Sequence, residues 1–299
     1  MRISYVIIAL NTAPYIGECI SSILKQKHHE QIIVIDDGST DATSQIVSDF
    51  NRKEITLIRH EANQGCCQSR IEGLRLCTGD YMTFIDSDDY YTKELPVPLF
   101  QKPDIIDFGM FGSLDPLSPP EKILSKGENR YFDEDVFSAY MSGGKISEIL
   151  VNKLISRRVY SQFADRLDLS GLANYSDNLC FMTAFSFFAR SYKKVDRTCY
   201  FYRQGTGMTT YLPKITKFRQ FCAQVNALPR LSEIGIPAKR NYINILNRAV
   251  GYYNWMATTK EQDRKELGIS AEDIAEAKEL LLGTFGEDIE KYGFTNLAP

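Results

Sequence analysis

Apolar and polar positions along this chain follow two rhythms that alternate. Ile3 to Leu10 is a short, continuous, β-branched run, the pattern of a strand covered on both faces in a parallel sheet. It stops at Asn11; Thr12 can cap the next segment, Pro14 suits a first helical turn, and Ile16, Ile20, Ile23 and Leu24 recur at helical spacing. The unit then repeats. Gln31 to Ile35 reads as a second strand, and after the turn DDGSTD (Asp36 to Asp41) the residues Ala42, Ile46, Val47 and Phe50 mark an amphipathic helix with Ser39 or Thr40 as its expected cap. Ile55 to Ile58 reads as a third strand, about Gln68 to Leu76 as a helix, Tyr81 to Ile85 as a fourth strand and Ile105 to Phe108 as a fifth. Alternation of this kind predicts an α/β protein, a mostly parallel sheet flanked by helices.

The pattern changes at Phe111. From there to Arg130 Pro, Ser, Gly and charge dominate, with Pro116, Pro119 and Pro120 breaking any regular element, so a flexible or lid-like connection is expected. Helical patterns follow at Val136 to Met141, Ile146 to Tyr160 and Asn178 to Arg190, the last apolar all round. Lys194 to Tyr202 reads as β. From about Thr216 onward the chain reads as helical, with the stripe Ile274, Ala277, Leu280 and Leu281, and Tyr252, Tyr253 and Trp255 are expected to form a packed aromatic cluster. The expected organisation is residues 1–110 and 111–213 as two halves of one domain, then a helical C-terminal region over residues 214–299.

Composition narrows the function classes. With 43% hydrophobic and 24% charged residues in 299, the chain is neither disordered, collagen-like nor a disulfide-stapled peptide. Lys and Arg number 35 against 38 Asp and Glu, so no basic surplus points to nucleic acid, and a phosphate-bearing ligand needs local handling, for instance by a metal ion. No run approaches the roughly 20 apolar residues a membrane span requires. The start of the sequence lacks the pattern of a secretory signal, which implies a cytoplasmic address, and the seven cysteines are read as reduced thiols.

In open α/β sheets ligands bind beyond the carboxyl ends of the strands. Here those ends carry Asn11, Asp36-Asp37-Gly38-Ser39 and Asp86-Ser87-Asp88-Asp89, which topology gathers on one rim. Clustered carboxylates repel unless a cation or donor balances them, and Asp-x-Asp at a strand end suits a hard divalent ion together with diphosphate oxygens. Taken singly, DDGSTD is equally well explained as a capped turn and DSDD as a surface loop; together at successive strand ends they mark a site.

VIIALNTAPYIGECISSILKQ, IIVIDDGSTD, HEANQGCCQSRIEGL and GDYMTFIDSDDYY resemble, in order and spacing, the nucleotide-binding half of family 2 glycosyltransferases of GT-A fold. The resemblance covers about the first ninety residues and extends more weakly to NKLISRRVY, YSDNLCF and YFYRQGTGMTT. It implies that Ala9, Asn11, Asp36 or Asp37, and Arg70 line the nucleoside pocket of a sugar nucleotide, most often UDP. Asp86, with Ser87 beside it, would meet ribose or sugar, and Asp88 would ligate Mg²⁺ or Mn²⁺. Asp177 would be the catalytic base, and Arg203 with Thr206 to Thr210 would close over the diphosphate. The implied reaction is inverting transfer of a sugar to a saccharide or lipid-linked acceptor hydroxyl. A non-catalytic sugar-nucleotide scaffold and a sugar nucleotidyltransferase are the alternatives, the latter without a Gly-rich phosphate loop after the first strand. Peripheral contact with the inner face of the membrane and oligomerisation through the C-terminal helices are further expectations. Ala9, Ile71 and Ser176 depart from the customary Pro, Asn and acid; the last removes a like-charge neighbour of the base.

Overall fold

The computed structural model describes residues 1–97, 102–113, 121–123, 131–132, 136–142, 145–172, 177–203, 206, 213–237, 239–292 and 297–298. The chain forms two compact units, Met1–Gly171 with Asp177–Gly207, and Leu172–Ser176 with Met208–Pro299.

The first unit is built on one mixed sheet. Its first four long strands are β1 (Ile3–Ala9), β2 (Gln31–Asp36), β3 (Ile55–Arg59) and β4 (Tyr81–Asp86), alternating with α1 (Ala13–Leu24), α2 (Thr43–Asp49) and α3 (Cys66–Arg75). These strands are parallel in the order β3-β2-β1-β4. β1 is covered on both faces, which is why its sequence does not alternate. Ile3, Tyr5, Ile7 and Ala9 pack with Ile16, Cys19, Ile20 and Ile23 of α1, while Val6 lies so close to Gly73 of α3 that a methyl group at 73 would collide with it. Each such fully buried aliphatic side chain contributes about 1.5–3 kcal/mol relative to exposure.

The remaining strands are β5 (Tyr90–Tyr91), β6 (Ile105–Ser113), β7 (Glu121–Ile123), β8 (Tyr131–Phe132), β9 (Lys153–Ser156) and β10 (Tyr192–Arg203), with helices α4 (Val136–Met141), α5 (Arg157–Tyr160) and α6 (Asp177–Phe188). They extend the sheet as β4-β9-β6-β10-β5, with β7 on β6 and β8 on β10. The helix expected over Ile146 to Tyr160 is instead the antiparallel strand β9 and the single turn α5. β9 lies between β4 and β6, pairing Met82 with Ile155 and Asp107 with Lys153. All four of its residues are buried, Lys153 and Ser156 among them, so no exposed polar face marks a period. The connection expected over Phe111 to Arg130 is partly sheet, since β6 runs on to Ser113 and β7 returns along it; residues 114–120 and 124–130 lie outside the described residues.

The cap of α2 also differs from expectation. Neither Ser39 nor Thr40 caps it; Asp41 accepts the Thr43 amide (2.9 Å), and its second oxygen accepts the Ala13 amide (3.1 Å) at the start of α1. One carboxylate thus serves two helix N-termini, where negative charge is favoured.

The second unit is helical: α7 (Lys214–Cys222), a 3₁₀ turn (Ala223–Ala227), α8 (Leu228–Glu233), α9 (Lys239–Thr258), α10 (Glu261–Glu266) and α11 (Ala271–Lys291). Ser270 and Asp273 form a reciprocal capping box at α11. Of the expected stripe, Ala277 and Leu281 are buried, continued by Phe285 and Ile289. Tyr252 packs between Phe218 and Trp255. No helix among the described residues is long and apolar enough to cross a membrane.

Candidate active site

The carboxyl ends of β1, β2 and β4 form one rim, shaped by two unusual backbone positions. Gly38 turns the chain at φ 87°, and a Cβ there would meet the Ala62 carbonyl carbon and the Asn63 nitrogen at 2.9 Å. Asn11 adopts φ 53°, and its side-chain oxygen accepts the Thr40 amide at 2.9 Å, tying the β1 end to the β2 turn. The Ala9 side chain is fully buried, and its carbonyl accepts the Asp37 amide at 2.8 Å.

Asp36 and Asp37 are both buried and hydrogen-bonded within the chain. Asp36 accepts the Ser39 amide (2.8 Å) and the Ser44 hydroxyl. Asp37 accepts the Gln64 and Gly65 amides (2.8 and 3.0 Å) and faces the His60 ring (2.8 Å).

Arg70 draws the rest together. Its Nη2 donates to Asp86 at 2.7 Å and its Nε to Asp177 at 3.0 Å, while its guanidinium lies 4.9 Å from the Phe84 ring centroid. The arginine is 7% exposed, Asp177 13% and Asp86 35%, so only Asp86 opens substantially to solvent. Nη1 of Arg70 is buried with no hydrogen-bond partner among the described residues. Burial disfavours the guanidinium charge, but Asp86 and Asp177 more than offset this and hold it protonated. Burial in turn pushes the Asp177 carboxyl above the ordinary aspartate range; Asp86 adds to the rise and Arg70 opposes it. Asp86 thus stands in for the like-charge neighbour that Ser176 does not supply.

A second cluster surrounds Asp88. The Thr206 hydroxyl donates to its carboxylate at 2.6 Å. Arg203 spends its guanidinium on the Asp88 carbonyl (2.9 Å) and on Glu18 (2.7 Å), beside the rings of Tyr15 and Tyr90. Asp89 accepts the Tyr200 hydroxyl (2.5 Å) and the Arg203 amide (2.7 Å). Burial, then the charge of Asp86, raises Asp88, and burial followed by Asp86 and Asp88 raises Asp89 well above the ordinary range. Ser87, between the acidic residues, is buried. A divalent cation carried largely by substrate phosphates needs only one or two protein carboxylates. Asp88, crowded by like charge and with Asp86 two residues away, fits that need. Among the described residues no group of three or more His, Cys, Asp or Glu is arranged to hold an ion by itself.

Of the residues singled out from sequence, Arg70, Asp86 and Asp177 are thus in direct contact, and Asp88, Arg203 and Thr206 form the adjacent group. Gly207 to Thr210 lie outside the described residues. His60, Glu72, Tyr200 and Glu18 also shape the rim and were not singled out, while the sequence marks Asp89 only as the end of the acidic run and Asp41 only as an acid at a helix start. His60, Glu72, Tyr200 and Glu18 are brought in by pairing that no spacing announces. A cavity of about 610 Å³ lined by Ile3, Tyr5, Gln26, Leu95, Val195 and Arg197 among others lies apart from all of these groups.

Residues 4–104 match the family described as Glycosyl transferase family 2. Glycosyltransferase GlyG of Streptococcus pneumoniae serotype 4 is 34% identical over 103 residues, 33% of this chain and 34% of that protein. The uncharacterized glycosyltransferase EpsJ of Bacillus subtilis is 32% identical over 95 residues, 31% of this chain and 28% of that protein. The chain therefore spans about a third or less of the length of these two relatives. Among solved structures, S. aureus TarS 1–349 in complex with UDP-GlcNAc superposes with a TM-score of 0.62 at 18% identity, covering 100% of this chain and 82% of that one. The chain has the GT-A fold, and its residues 4–104 are similar to family 2 glycosyltransferases.

Proposed function

We propose that this chain transfers a hexosyl or N-acetylhexosaminyl group from a nucleotide sugar, a UDP-sugar first among the donors, to a hydroxyl of a saccharide or lipid-linked acceptor, with inversion and with a divalent cation. One observation carries the reading: a single buried guanidinium binds both Asp86 at the tip of β4 and Asp177 at the start of α6. The family match, the glycosyltransferase relatives and the UDP-GlcNAc bound by TarS support the same chemistry.

In this reading the acceptor oxygen forms a bond to the anomeric carbon as the bond to the diphosphate oxygen breaks, and the leaving electron pair stays on the diphosphate. The hydroxyl proton passes to the Asp177 carboxylate. Burial makes that carboxylate a better base than an exposed aspartate, while Arg70 favours its ionised form and fixes its direction. Placement therefore supplies much of the effect. Asp88, with Asp86 beside it, would hold Mg²⁺ or Mn²⁺, which when bound supplies Lewis-acid stabilisation to the diphosphate. Arg203 and Thr206 are the chain's own donors on that side.

Asp177→Asn tests the assignment: UDP release with an acceptor should fall about 10²–10⁴-fold, with UDP affinity kept. Unchanged turnover would remove Asp177 from the role of base. A wild-type chain that binds UDP-sugars but turns none over with any acceptor would instead be a non-catalytic scaffold.

A further inference from the structure

His60 follows the last residue of β3 and is 7% exposed. Its backbone amide donates to the Asp36 carbonyl at 2.9 Å, so the ring is fixed beside the turn that follows β2. Both ring nitrogens face carboxylates: Nδ1 lies 2.8 Å from Asp37 Oδ1, and Nε2 lies 2.8 Å from Glu72 Oε2 on α3. A carboxylate can only accept, and a neutral imidazole has one N–H, so only the doubly protonated ring donates to both. Asp37 in turn receives the amides of Gln64 and Gly65, immediately before α3. A chain of contacts thus runs from the β2 turn through His60 to both ends of the segment 64–72, and Arg70 lies within that segment.

We propose that the His60 imidazolium is a positioning residue of the donor site, clamping the first turns of α3 to the β2 turn and so holding Arg70 in place between Asp86 and Asp177, and that losing its proton loosens the clamp. The part that concerns the donor rests on the glycosyltransferase reading above. The ring touches no reacting atom and acts only through Asp37, Glu72 and α3.

The charged groups that face the ring are Asp37 from the β2 turn and Glu72 from α3. Its neighbour Arg59 is turned to the Ser39 carbonyl (3.2 Å), Asp36 to Ser39 and Ser44, and Glu61 is exposed. Burial lowers the proton affinity of the ring, and the hydrogen bonds and charges of Asp37 and Glu72 outweigh it, so its pKa lies above the ordinary 6.5. The sign follows from that direction. A raised folded-state pKa contributes stability that is complete below the unfolded value and is lost as pH rises through the folded one. The clamp is closed below the ordinary histidine value and opens as pH rises through the raised midpoint.

The chain has three histidines, so proton NMR of the full chain, with His28→Asn and His29→Asn for assignment, isolates the His60 titration. Its midpoint should lie above the ordinary value and fall in Glu72→Gln. With UDP and Mn²⁺ as probe, the wild-type Kd should rise about tenfold across that midpoint, roughly the effect of one charge-assisted hydrogen bond. Glu72→Gln should weaken this pH dependence and His60→Gln should abolish it, with Kd fixed near the high-pH value. A purely structural histidine would lower Tm in the variants and leave Kd flat in pH. A ring titrating at or below the ordinary value, or a pH-independent wild-type Kd, overturns the proposal. Should UDP bind at no pH, the donor reading has failed, and amide exchange then decides the clamp: the protection of Gln64 to Ser69 relative to their intrinsic exchange rates must fall above the midpoint in the wild type and not in His60→Gln, and unchanged protection overturns it too.

Discussion

Two buried cation–carboxylate clusters in the first unit differ in how completely they are closed. In the middle of the sheet Lys153 and Asp107 are both fully buried and 3.2 Å apart. The ammonium also donates to the Ile149 carbonyl (2.7 Å) and to Asn152 Oδ1 (2.9 Å), which accounts for all three of its protons. Asp107 accepts from Asn152 Nδ2 (3.0 Å) and from the Tyr192 hydroxyl (2.9 Å). At the rim Arg70 likewise meets two carboxylates, but Nη1 has no partner among the described residues and Asp86 is partly open. A saturated cluster offers a ligand nothing to displace or complete. An unsaturated one beside an opening holds a donor ready, and leaving such a group buried costs about 1–3 kcal/mol. The comparison separates a charge pair that serves the fold from one that the proposed function assigns to a ligand.

Substitution should separate them in the same way. Lys153→Met strands Asp107 in the sheet and should cost about 3–5 kcal/mol in urea unfolding; Lys153→Met with Asp107→Leu should recover most of it, and nucleotide affinity per folded molecule should hold in both. Arg70→Gln should cost less stability, about 1–3 kcal/mol, because solvent reaches Asp86, yet should weaken UDP binding and turnover by at least about tenfold. Equal stability losses with intact UDP binding in Arg70→Gln would make both clusters structural and end the distinction. The smallest effect is in pH dependence. The acid limb of kcat/KM should report the Asp177 carboxyl at a midpoint above the ordinary aspartate range, with activity rising as the base ionises. Whatever activity survives in Arg70→Gln should show that limb displaced further upward, since the guanidinium favours the ionised form; an unmoved limb would mean that another group titrates.

Much of the rim was legible because a parallel strand covered on both faces leaves a continuous apolar run whose end is sharp. Asn11, Asp36 and Asp86 sit where the runs of β1, β2 and β4 stop. The helix expected over β9 differs from the observed strand because Leu150 to Ile155 is buried throughout, Asn152 and Lys153 included, so its polar residues mark no solvent face and carry no period. Lys153, a charged residue in the middle of it, looks like a break in sequence and is in fact the partner of Asp107 on the neighbouring strand. Asp41 as a shared cap was hidden for a related reason: half of its role lies at Ala13, on a different helix.

Local patterning by itself determined the alternation of strands and helices, the placing of acidic residues at strand ends and the helical character of the C-terminal region, since each depends on neighbours within a few residues. Tertiary structure alone decided which charges meet. The Arg70–Asp86–Asp177 bridge, the His60 clamp and the Lys153–Asp107 pair each join residues from separate elements, and whether such a charge is satisfied, raised in pKa or left with a spare donor depends on burial and on distances of about 3 Å that no linear spacing encodes.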